Sequence, residues 1–125
     1  MTKYLLIQHY GGGACDVPMG DWDPADIRAH IDYQRALNDA LLDAGELVDA
    51  QGVAERATRV ESDGGSTRVS TGPFADRLLA GYRIVDVESE ARALEIAART
   101  SAAPGPAGVP LEQPIEVREV MVPQL

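Results

Sequence analysis

An α+β fold is predicted by three features of this 125-residue chain. Short apolar segments alternate with two helical patterns. One of those helices is punctuated sharply at both ends. The opening strand is apolar on both of its faces.

Residues 3–9, KYLLIQH, are short, apolar and followed by glycines, which predicts a buried strand. Gly11, Gly12, Gly13, Pro18 and Gly20 then break any regular pattern, so residues 10–23 form a loop. Asp23 is placed to cap a helix, and Pro24 suits its first position, where a missing N–H is harmless. The helix runs to about Ala44 and stops at Gly45. Residues 46–51 predict a strand. Residues 57–61 and 67–71 predict a hairpin around Asp63-Gly64-Gly65, because paired glycines supply the positive φ that tight turns need. A strand follows at 79–87, LAGYRIVDV, and then a helix over about 88–100 with Glu88 and Glu90 at its positive end. Residues 101–114 are a Pro/Gly/Ala loop, and 115–122 the last strand.

This order is that of the ferredoxin-like, split βαβ arrangement: an antiparallel sheet with two helices on one face and an extra hairpin. The other face then needs cover. Tyr4, Leu5, Leu6 and Ile7 are apolar on both sides of the first strand, so a homodimer formed through the sheet is expected.

The length is that of one domain spanning residues 1–125, and 45% hydrophobic with 25% charged residues is ordinary globular composition. The net charge is −9, and Lys3 and the arginines are scattered along the chain. That excludes nucleic acid as the expected partner, since phosphate recognition needs a basic stripe. Cys15 is the only cysteine, so no internal disulfide forms. The apolar run at the N-terminus ends after Ile7, too short for a secretion signal or a membrane span, and a cytoplasmic protein with no membrane partner is expected.

The first helix carries the most informative pattern. Ile27, Ile31, Leu37, Leu41 and Leu42 predict its apolar stripe, and His30, Gln34 and Asn38 run along the same stripe one turn apart. Asp32, Arg35, Asp39 and Asp43 point to water. A packed, hydrogen-bonded row and a row lining a cavity are both compatible with this spacing. In the second reading His30 is the candidate acid/base, with Gln34 and Asn38 binding substrate. His9, at the end of the first strand, is the second candidate catalytic histidine. Two histidines without a placed third ligand do not make a metal site, so no metal and no cofactor is expected, and Asp16, Asp21 and Asp23 are near only in sequence. The run His9-Tyr10-Gly11-Gly12-Gly13 lacks both the GxSxG of an esterase and the GK[ST] of a phosphate loop. Cys15 has no basic neighbour to activate it. Trp22 reads as an apolar anchor beside the helix cap.

The stretch Thr71-Gly72-Pro73-Phe74-Ala75-Asp76, then Gly81-Tyr82, Ile84, Val87, Ala93-Leu94, Ala97-Ala98 and Glu116-Val117-Arg118, resembles the YCII-related family in its DGPF form. The resemblance spans almost the whole chain and implies a dimeric α+β barrel-type fold. Some members are thought to be partners of sigma factors. A few YCII-like proteins are enzymes of small aromatic or lactone-type substrates with a proposed His–Asp pair. His30 matches the histidine of that pair, and His9 stands where its aspartate would be. Thr71 replaces the Asp of DGPF, and the segment from Phe74 to Gly81 is shorter than in the family. The expected function is therefore binding or transformation of a small molecule in a cleft between first helix and sheet. The alternative is a non-catalytic regulatory protein of the sigma-factor-associated type. An open pocket at His30, Gln34 and Asn38 separates the first reading from the second.

Overall fold

A computed structural model describes residues 1–72 and 79–122. The sequence Pro73-Phe74-Ala75-Asp76 lies outside the described residues. Among the described residues six strands and two helices follow in the order β1 (Thr2–His9), α1 (Pro24–Asp43), β2 (Leu47–Gly52), β3 (Thr58–Ser62), β4 (Thr67–Thr71), β5 (Leu79–Val87), α2 (Glu90–Ser101) and β6 (Ile115–Glu119). Single 3-10 turns lie at Met19–Asp21 and Pro106–Gly108. The main sheet has the order β2-β5-β1-β6, antiparallel throughout, which is compatible with the ferredoxin-like arrangement. β3 and β4 form a separate ribbon in which every residue is exposed.

The helix boundaries follow from local chemistry. Asp23 accepts from the Ala25 N–H at 3.0 Å, and Pro24 opens the first turn of α1. Gly45 ends the helix at φ +72°, a conformation that costs a residue with a Cβ. For α2 the cap is Ser89, which accepts from the Arg92 N–H, so the helix begins at Glu90 and not at 88.

Strand alternation builds the core. Leu6 lies opposite Arg83 and Tyr4 opposite Val85, and these positions share the inner face with Val87. Leu6, Val85 and Val87 pack with Leu37 and Leu41 of α1 and Ala93, Ile96 and Ala97 of α2. Both helices therefore bury their apolar sides against the same sheet face. Lys3, Leu5 and Ile7 alternate to the opposite face, where they pair with Asp86, Ile84 and Tyr82.

Two expectations need correction. Ile31 and Leu42 are not part of the buried stripe of α1: they are 40% and 62% exposed. Each sits one residue past a buried position, His30 and Leu41, and so lies roughly 100° further round the helix. The last strand stops at Glu119. Val120 still donates to the Lys3 carbonyl, but Met121 and Val122 are exposed. Among the described residues no helix is long and apolar enough to cross a membrane.

One ion pair ties the layers together. The Arg92 Nη2 and Nε donate to the two oxygens of Glu46 at 2.8 and 3.0 Å, joining α2 to the start of β2. The Arg92 hydrogen bonds hold the Glu46 carboxyl below its ordinary range. A depressed carboxylate stabilises the fold above its unfolded value of about 4.3, and that contribution fades as the pH falls through the lower folded value. Glu46→Gln is accordingly expected to lose about 1–2 kcal/mol near neutral pH. In acid, once both states are protonated, wild type and variant converge. Urea midpoints measured across pH check this, and a loss independent of pH would contradict it.

Candidate functional site

The inner face of β5 is apolar at Val85 and Val87, but two positions earlier it carries Arg83. Strand pleat gives this side chain no route to water other than along the sheet beneath α1, and Arg83 is only 6% exposed. Its partners come from both helices. Nε donates to Asn38 Oδ1 at 2.7 Å, Nη1 to Thr100 Oγ1 at 3.1 Å, and Nη2 to Gln34 Oε1 and, at 3.5 Å, to the Gln34 carbonyl. Thr100 spends its own proton on the Ile96 carbonyl at 2.9 Å, so it presents a lone pair to the guanidinium.

All of these acceptors are neutral, and among the described residues no carboxylate pairs with Arg83. Burial pushes the guanidinium below its ordinary pKa, which means the fold works against the charge. The same contacts fix the amide of Gln34. Its oxygen must face the cation, so Nε2 points away from it and has no acceptor among the described residues.

His30 lies one turn before Gln34 on α1. A carbonyl can only accept, so the contact of Nδ1 with Pro104 O at 3.0 Å places the proton on Nδ1. When the ring is neutral, Nε2 carries its free lone pair. The ring meets Trp22 edge to face, with centroids 5.7 Å apart and planes at 82°. The Trp22 Nε1–H in turn donates to Val17 O at 2.8 Å. The apolar anchor beside the helix cap thus also holds the histidine.

Two loops complete the surroundings. The 101–114 segment is folded back on itself by a bridge between Pro104 and Pro110 and by Leu111 N–H donating to Ala103 O at 2.9 Å. It is joined to the 10–23 loop where the Ala14 N–H donates to the Leu111 carbonyl. The approach requires glycine at position 13, since a Cβ there would meet the Leu111 oxygen at 2.6 Å.

Between α1, β5, the end of β2 and these loops lies a cleft of about 1080 Å³, slightly larger than the roughly 300–1,000 Å³ of ordinary small-ligand pockets. His30, Gln34, Asn38, Arg83 and Trp22 line it. The polar row expected on α1 is therefore both hydrogen-bonded and cavity-lining. His9 is not among the cleft residues. It ends β1 opposite Leu79, and its carbonyl accepts from Gln113, whose own oxygen accepts from Gln8 at 2.7 Å. Among the described residues no group of three His, Cys, Asp or Glu side chains is arranged to hold a metal.

Arg83 is the participant that sequence reasoning missed. The signal was available: in LAGYRIVDV the alternation that turns Val85 and Val87 inward also turns Arg83 inward.

A family model described as YCII-related domain matches residues 2–116. No curated protein matches the chain.

Proposed function

This chain belongs to the YCII-related family, and on that premise we propose that it binds a small molecule in the cleft between α1 and the sheet. The observation that carries the reading is the network of Arg83, Gln34 and Asn38. It opens onto a cleft where a domain of this size would otherwise bury apolar side chains. A buried guanidinium held only by neutral acceptors is costly to desolvate, and this one borders a volume suited to a ligand. His30, at the same wall, is the group able to exchange a proton with what enters. Two-dimensional NMR during titration with a fragment mixture tests the reading. Bound fragments are expected to shift the Gln34 and Asn38 side-chain amides and the His30 ring. Shifts confined to other surfaces, or none at millimolar fragment, would overturn it.

The sheet face carrying Leu5, Ile7, Tyr82 and Ile84, each only partly buried, supports pairing of two copies through that face, on the side away from the cleft network. The mass in solution decides this.

A further inference from the structure

We propose that the cleft selects monocarboxylates, with Arg83 as the residue that anchors the carboxylate of the ligand. The inference rests on the reading that the cleft takes a small molecule and names the class. A guanidinium taken out of water loses its hydration, and neutral acceptors return less than an anion would. Arg83 is in that position: its bonds go to two amide oxygens, a backbone carbonyl and a hydroxyl. Of its five N–H groups four are used, and one on Nη1 is left uncommitted. The cation lines the cleft, so an anion can reach it from there. The uncommitted Nη1 N–H can give a carboxylate one charge-assisted hydrogen bond, and the neighbouring Gln34 amide has N–H donors without an acceptor among the described residues.

Charge fixes the rest of the class. Arg83 is the only lysine or arginine among the described residues that line the cleft, so one negative charge is balanced there and two are not. Asp16 and Glu55 also line it and are exposed, which places negative charge toward the mouth. A second acid group on the outer end of the ligand would be repelled. Trp22, Val17, Met19 and Leu111 supply apolar surface for the body of the molecule. A dianionic phosphate lacks a second permanently charged cation there.

The experiment uses matched pairs: benzoate with benzamide, and hexanoate with hexanamide, with methylphosphonate as a third arm. Binding is followed at neutral pH and low salt through the Arg83 Nε–H resonance and the Gln34 and Asn38 amides. Each acid is expected to bind at least about tenfold more tightly than its amide and to move the Arg83 resonance. Arg83→Met is expected to abolish the acid preference, and Arg83→Lys, which keeps the charge but not the planar guanidinium that Asn38, Gln34 and Thr100 hold in place, to retain only part of it. If Arg83→Met fails to fold, the lysine variant and the wild-type Nε–H resonance carry the test. Amides binding as tightly as acids would overturn the carboxylate assignment and leave the cleft reading intact. Preference for methylphosphonate would overturn it equally. If neither acids nor amides bind, both inferences fall.

Discussion

Leu41→Ala is expected to lower the free energy of unfolding by about 3 kcal/mol, whereas Leu42→Ala beside it is expected to change stability by less than about 0.5 kcal/mol. The two leucines are chemically identical neighbours on one helix. Leu41 is 1% exposed and packed between the inner sheet face and α2, while Leu42 lies round the helix in solvent. Truncating Leu41 removes its burial and leaves a void that a sheet of paired strands cannot collapse to fill. Urea titration reads the difference directly. The slope with denaturant should not change, since the surface exposed on unfolding is nearly the same. Equal losses at both positions would mean that Leu42 is also buried in solution.

Arg83→Met is expected to stabilise the fold, by about 1 kcal/mol, although it deletes four hydrogen bonds. Methionine keeps the apolar stem and removes the charge that burial opposes. The acceptors it abandons on Asn38 and Gln34 border the cleft, where water can satisfy them. Thr100 retains its bond to Ile96. Thermal unfolding of the variant without ligand checks the sign. A loss of about 2 kcal/mol or more would show that the network is a structural staple. A gain would be the mark of a group kept for binding at the expense of stability.

The elements that sequence reading located well are those fixed by neighbours in the chain. Asp23, Pro24 and Gly45 bound α1 through caps that involve only adjacent residues. The turn of the β3–β4 ribbon is held by Asp63 Oδ1 accepting from the Gly65 and Ser66 N–H groups, again a local matter. The rotation of α1 was legible only in part. A stripe drawn by hydrophobicity included Ile31 and Leu42, because the positions nearest the sheet are taken partly by His30 and Gln34. What lets polar groups occupy them lies elsewhere: Arg83 is 49 residues from Gln34, and Pro104 is 74 from His30. No periodicity within one helix reports a partner at that separation. The polar row itself was visible, and its meaning was not.

The register of the main sheet has a kinetic consequence. Thr2 pairs with Val87, and β1, which holds the centre of the sheet with β5, can find that partner only after a loop containing α1, β2 and the ribbon has closed. Such long-range pairing slows folding relative to a helical bundle, toward the intermediate rates of mixed α/β domains. The ribbon, whose strands meet across a short turn, can form in about 1–10 μs, long before the sheet that defines the cleft. Closure entropy grows only with the logarithm of loop length, so even a doubling of that loop would add about 0.6 kcal/mol to the barrier. The loops within that segment are therefore free to vary in length with little penalty to the rate, while α1, β2 and the two strands they separate are not free to lose their packing or register.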